Sequence, residues 1–120
     1  MEKTIYIADD DSSIRKLTGD VLGRFFPEYE REFFEDGVSL LRRLEETDKP
    51  SLIITDNEMP GVTGSEIIEG YARKIPFILI YGGDEKIGKK AVADGACGYF
   101  LKPYNIKELG ALAGKILNSK

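Results

Sequence analysis

Residues 4–15 read Thr-Ile-Tyr-Ile-Ala-Asp-Asp-Asp-Ser-Ser-Ile-Arg. Thr4–Ala8 is short, apolar and rich in β-formers, which predicts a strand, and Asp9, Asp10 and Asp11 cut it off. From Ser13 to Phe26 the residues Ile14, Leu17, Val21, Leu22 and Phe25 recur at helical spacing, with Asp11 or Ser12 as the cap. Gly19 and Gly23 each weaken that helix by roughly 1 kcal/mol relative to Ala. The stretch is therefore a strand, three carboxylates and a helix, a β-α unit whose turn carries the charge.

The rest of the chain repeats the unit. Pro27 stops the first helix, Tyr29–Phe34 predicts a short strand, and Val38–Glu46 a helix with Val38, Leu41 and Leu44 on one side. Leu52–Thr55 is an apolar strand ending at Asp56, followed by a loop over residues 57–64 with the turn pair Pro60-Gly61. Ser65–Lys74 reads as helix, Pro76–Ile80 as strand, Asp84–Asp94 as helix and Cys97–Leu101 as the last strand. Asn105 with Glu108 predicts a capping box for a final helix through about Leu117.

Continuously apolar strands between helices predict a parallel sheet covered on both faces. The expected fold is α/β, a three-layer, doubly wound, five-stranded parallel sheet. Five units favour the flavodoxin-like order 2-1-3-4-5, with the site beyond the carboxyl ends of strands one and three. We expect residues 1–120 to form one domain, since 120 residues without repeats or low-complexity segments suit one core.

Composition narrows the chemistry. The chain has no histidine, no tryptophan and one cysteine, Cys97. That excludes a Ser-His-Asp triad, a His-ligated zinc site, an internal disulfide and a CxxC pair. The longest apolar run, Ile75 to Tyr81, is too short to span a membrane, and residues 1–8 lack a signal-peptide pattern, so a cytoplasmic protein with no membrane role is expected. The formal charge of −4 is unevenly spread: residues 1–70 hold 8 basic and 17 acidic side chains, residues 71–120 hold 9 and 4. Two faces of opposite sign are expected.

Three strand ends carry charge. The first ends in Asp9-Asp10-Asp11, the third in Asp56, and the fifth runs through Lys102 to Pro103. Neighbouring strands lie ~4.8 Å apart, which brings Asp9, Asp10 and Asp56 together. Such carboxylates should raise one another's pKa or bind a cation, and a few hard oxygens on rigid strands suit Mg²⁺. Lys102 stands two strands from Asp56, roughly 10 Å, a gap only a long cationic side chain can lean across.

The runs IYIADDDSSIRK (5–16), LIITDNEMPGVTG (52–64) and GYFLKPY (98–104) resemble the receiver domain of two-component response regulators, over the whole chain and in a chemotaxis-type single-domain arrangement. The resemblance implies a phosphoacceptor signalling switch rather than a turnover enzyme. Asp56 would accept a phosphoryl group from the phosphohistidine of a sensor histidine kinase or a phosphotransfer protein. It further implies that Asp10 and Asp56 bind Mg²⁺ directly, Asp9 largely through water, and Glu58 through its backbone carbonyl. Lys102 would contact the phosphoryl oxygens, the Lys102-Pro103 peptide would be cis, and Tyr99 would be the switch aromatic.

One position departs from the family pattern. Tyr81 stands where the fourth strand normally ends in Ser or Thr, followed here by Gly82 and Gly83. It reads either as a surface aromatic at a strand end or as an altered switch. The resemblance implies an output face on helix 4, strand 5 and helix 5, which here carry Lys86, Lys89, Lys90, Lys107 and Lys115, a basic surface for an acidic partner or a second copy. Three other readings compete. A degenerate receiver would act as a phosphorylation-independent interaction module. An FMN carrier would need a phosphate loop where three aspartates stand, and an aspartyl-nucleophile phosphohydrolase would need a cap for which 120 residues leave no room. With no helix-turn-helix segment left over, direct nucleic-acid binding is not expected.

Overall fold

All five residues of β1 (Thr4–Ala8), β3 (Leu52–Asp56) and β4 (Phe77–Tyr81) are buried, because helices cover both sides of these strands. The computed structural model describes residues 3–46 and 50–119. The five remaining helices and two strands are α1 (Ser12–Phe25), β2 (Glu30–Phe34), α2 (Gly37–Glu46), α3 (Gly64–Tyr71), α4 (Glu85–Ala93), β5 (Gly98–Leu101) and α5 (Ile106–Asn118). All neighbours pair in parallel, and the order across the sheet is β2-β1-β3-β4-β5. This is the predicted doubly wound, three-layer α/β fold.

Strand alternation divides the core in two. Ile5, Ile7, Ile54, Ile78 and Ile80 face Leu22 of α1 and Leu109, Ala113 and Leu117 of α5. Tyr6, Ile53, Phe77, Leu79 and Tyr81 face Leu40 of α2, Ile67 and Ile68 of α3 and Ala91 of α4. Each fully buried Ile or Leu contributes about 1.5–3 kcal/mol, so both layers are needed.

Two predicted helix faces are rotated. On α1 the buried stripe is Thr18, Gly19 and Leu22, while Leu17 and Phe25 are half exposed. Bare Gly19 is the cause: a Cβ there would lie 2.5 Å from the Phe33 ring, so α1 settles onto β2 through its glycine. On α2 the core residue is Leu40, and Val38 is exposed.

Helix ends follow local chemistry. Asp11, not Ser12, caps α1, its carboxylate accepting from the N–H groups of Ser13 and Ile14. Asn105 caps α5 by accepting from Lys107 and Glu108. The full reciprocal capping box forms instead at Thr63 and Glu66, at the start of α3. Helix α3 stops at Tyr71, short of the predicted Lys74, and β4 runs one residue past the predicted Ile80 to Tyr81.

Candidate functional site

The ends of β1 and β3 lie side by side, since Ala8 pairs with Thr55. The next residues are Asp9 and Asp10 on one strand and Asp56 on the other. One carboxylate oxygen from each of the three lies within 4.8 Å of the others. Asp9 and Asp56 are buried and Asp10 is exposed, so the cluster opens to solvent on one side.

The backbone around Asp9 is tied down. Its N–H donates to the Phe34 carbonyl at 3.1 Å. Its own carbonyl accepts from Arg15 Nη1 at 2.7 Å, and its Oδ1 accepts from the Asp11 N–H at 2.9 Å. Arg15 also reaches Glu35, at 3.7 Å. Arg15 belongs to the quoted first motif, but sequence reasoning passed over it; its signal was a cation four residues past the cap Asp11, on the turn that folds back over β1.

Asp56 is held from two sides. Gly64, which opens α3, packs so closely that a Cβ there would stand 2.6 Å from the Asp56 carbonyl oxygen. The next residue, Asn57, accepts from the N–H and hydroxyl of Ser65 at 2.9 and 2.6 Å, fixing the turn. Lys102 crosses from β5: its Nζ is 3.0 Å from Asp56 Oδ2. The side chain spans the gap that strand spacing implied. The Lys102-Pro103 peptide is cis.

Burial sets the electrostatics. It pushes the Asp56 carboxyl above its ordinary value, although Lys102 pulls the other way. Asp9 is also raised, first by burial, against the Asp11 N–H bond, with the Asp56 charge adding to the rise. Mutual repulsion, expected from the spacing, adds to the rise but is a smaller cause than burial. Burial would lower Lys102, but the hydrogen bond and charge of Asp56 outweigh it and raise the ammonium's pKa. Burial likewise raises the Tyr104 phenol, which bonds Thr18 at 3.0 Å and ties the turn after Lys102 to α1.

Asp56 Oδ1 is buried without a hydrogen-bond partner. An orphaned anionic oxygen is costly and rare. Facing two further carboxylates, it fits a hard divalent cation, as does an all-oxygen donor set. Glu58 is exposed at the rim, and its Oε1 approaches within 3.6 Å of where a Cβ on Gly82 would sit.

Tyr81 is not a surface aromatic. It is 1% exposed, and its ring packs against Tyr99 with centroids 5.7 Å apart. Tyr99 in turn lies over bare Gly88 of α4. Asp56 pairs with Ile80, so alternation turns Tyr81 toward the opposite face of the sheet from Asp56. The surface-aromatic reading is overturned: the structure places Tyr81 in the layer opposite Asp56, with Tyr99.

A family model described as the response regulator receiver domain matches residues 5–113. The two-component response regulator ORR22 of Oryza sativa is 31% identical over 109 residues, 88% of this chain and 15% of that protein. The alkaline phosphatase synthesis transcriptional regulatory protein PhoP of Bacillus subtilis is 31% identical over 121 residues, 98% of this chain and 49% of that protein. The chain thus spans half or less of the length of these relatives. Among solved structures, a response regulator receiver domain protein from Clostridium thermocellum superposes with TM-score 0.85 at 22% identity, covering 98% of this chain and 95% of that one. A CheY-like receiver domain protein from Methanospirillum hungatei gives 0.85 at 25% identity, covering 99% and 96%. Among the described residues no helix is long and apolar enough to cross a membrane.

Proposed function

Because this chain belongs to the response regulator receiver domain family, we propose that it is a phosphoacceptor switch and that Asp56 is the acceptor. The observation that carries the reading is the geometry at Asp56: a buried carboxylate with one oxygen 3.0 Å from the Lys102 ammonium and the other without a partner. A carboxylate is a competent nucleophile without a general base. The donor is then the phosphohistidine of a sensor histidine kinase or a phosphotransfer protein, which agrees with a chain that has no histidine of its own.

In the transfer, an Asp56 oxygen attacks phosphorus in line, the P–N bond breaks, and the imidazole departs with the electron pair. Lys102 is positioned to follow the charge that develops on the phosphoryl oxygens. Asp9, Asp10, Asp56 and the Glu58 backbone carbonyl would hold Mg²⁺, which when bound supplies positive charge against both the acid cluster and the incoming phosphoryl group. Arg15 and Asp11 keep Asp9 in place for that role. Residues 1–120 act in this reading as one cytoplasmic receiver domain that signals by altered protein contacts, not by substrate turnover. The degenerate-receiver alternative drew its support from Tyr81, and Tyr81 leaves Asp9, Asp10, Asp56 and Lys102 undisturbed.

Incubation with Mg²⁺ and acetyl phosphate tests this directly. Intact mass should rise by one phosphoryl group, and Asp56→Asn should abolish the gain. No label from small donors or from a phosphorylated histidine kinase would sink the proposal.

A further inference from the structure

Between the first turns of α4 and α5, along the outer edge of β5, lies a cavity of ≈ 400 Å³. Its walls are aromatic: Tyr81, Tyr99, Phe100 and Tyr104. Its charged groups are two carboxylates, Glu85 of α4 and Glu108 of α5, and no lysine or arginine lines it. Lys86 and Lys89 of α4 and Lys107 of α5 are exposed, and Lys89 reaches Glu85 of the lining at 3.3 Å.

The balance of charge inside decides the kind of occupant. Each helix begins at the cavity, and a helix N-terminus carries about half a positive charge. Two full carboxylates exceed that. Glu108 has no ion-pair partner among the described residues, whereas Glu85 meets Lys89 at 3.3 Å. Both side chains of that pair are about two-thirds exposed, so water and salt screen them alike and Glu108 is left as the lining's uncompensated carboxylate. Burial raises the Tyr81 phenol, with Tyr99 and then Glu85 and Asp84 adding to the rise and Lys89 opposing it. Aromatic faces attract cations in the same sense, most strongly when the site is shielded from water.

We propose that this cavity receives an arginine side chain of a partner protein, carried by a segment whose flanking residues are acidic. The planar guanidinium stacks on aromatic rings and sheds water more readily than an ammonium, which favours arginine over lysine. The exposed lysines of α4 and α5 meet the acidic flanks. The expectation of an acidic partner is thereby sharpened: acids at the edge, one base at the centre. The inference rests on the switch reading above, since the cavity borders the Pro103 turn that follows Lys102.

The test uses three capped peptides, acetyl-Glu-Leu-Xaa-Leu-Glu-amide with Arg, Gln or Glu at the centre. Each is titrated into the full chain and followed by ¹⁵N–¹H NMR. The Arg peptide should shift the amides of residues 99–101 and 105–108 and bind about five-fold more tightly than the Gln peptide. Glu108→Gln should erase that preference, and Glu85→Gln should reduce it, while the remaining spectrum stays put. Equal affinity for the Arg and Gln peptides would overturn the proposal. So would tighter binding of the Glu peptide, the absence of shifts at millimolar peptide, or spermidine binding as well as the Arg peptide. Acetyl phosphate labelling, read by mass on the same sample, reports on Asp56 separately. Labelling without an Arg preference overturns the cavity alone, and an Arg preference without labelling overturns the acceptor reading alone.

Discussion

Replacing Asp56 by Asn should stabilise the protein in Mg²⁺-free buffer. The oxygens of Asp9, Asp10 and Asp56 lie within 4.8 Å of one another. At an effective dielectric constant of about 20, each carboxylate pair repels by about 3.5 kcal/mol or more. Lys102, at 3.0 Å, attracts Asp56 by about 5.5 kcal/mol on the same scale. The two repulsions therefore outweigh the single attraction by about 1–2 kcal/mol, and burial of the charge acts in the same direction. Losing the partner does not strand Lys102, whose side chain is 35% exposed and still feels Asp9 and Asp10. The expected gain is about 1–3 kcal/mol, read as a higher urea midpoint at unchanged slope by far-UV circular dichroism. Millimolar Mg²⁺ should raise the wild-type midpoint by mass action and leave Asp56→Asn nearly unmoved, which closes the gap. A variant less stable than wild type without Mg²⁺ would refute the reasoning about charge, and equal responses to Mg²⁺ would refute the metal site.

Three further outcomes are expected. The folded Asp56 carboxyl titrates above 3.8, so its contribution to metal-free stability is present below about pH 4 and lost as pH rises through the folded value. The midpoint advantage of Asp56→Asn should accordingly widen between pH 4 and 7, and a flat difference would contradict the assignment. Gly64→Ala puts a Cβ 2.6 Å from the Asp56 carbonyl oxygen and 3.1 Å from Asn57 Cα, both backbone, so it should cost about 1–3 kcal/mol and weaken Mg²⁺ affinity measured by calorimetry. Tyr81→Thr opens a cavity beside Tyr99 and should cost about 2–4 kcal/mol of unfolding free energy. The same variant should change the lifetime of the aspartyl phosphate or the affinity for the Arg peptide; if both match the parent, Tyr81 is only packing.

The strands and the charged quartet were legible because each rests on short-range pattern. Apolar runs at 52–55 and 77–80 admit one layer arrangement, and the strand-end rule then brings Asp9, Asp10 and Asp56 together without any knowledge of side-chain packing. What failed depended on fit between elements. Leu17 and Phe25 satisfy helical spacing as well as Leu22 does, and only the close approach of Phe33 to Gly19 tells which stripe is buried. On α2 the pattern chose Val38, which is exposed, and passed over the buried Leu40. The surface-aromatic reading of Tyr81 failed because β4 runs to residue 81, which carries that side chain into the core. The Arg15 bond to the Asp9 carbonyl joins a helix to a strand end at a distance no spacing rule encodes.

Lys102 touches both layers of the molecule. Its side chain meets Asp56 on one face, while its backbone N–H donates to the Tyr81 carbonyl at 2.8 Å and Tyr81 turns to the other. Lys102 thus joins the carboxylate on one face of the sheet to the strand that carries the aromatic pair on the other. Trimming the side chain would remove the first of these bonds and leave the second in place.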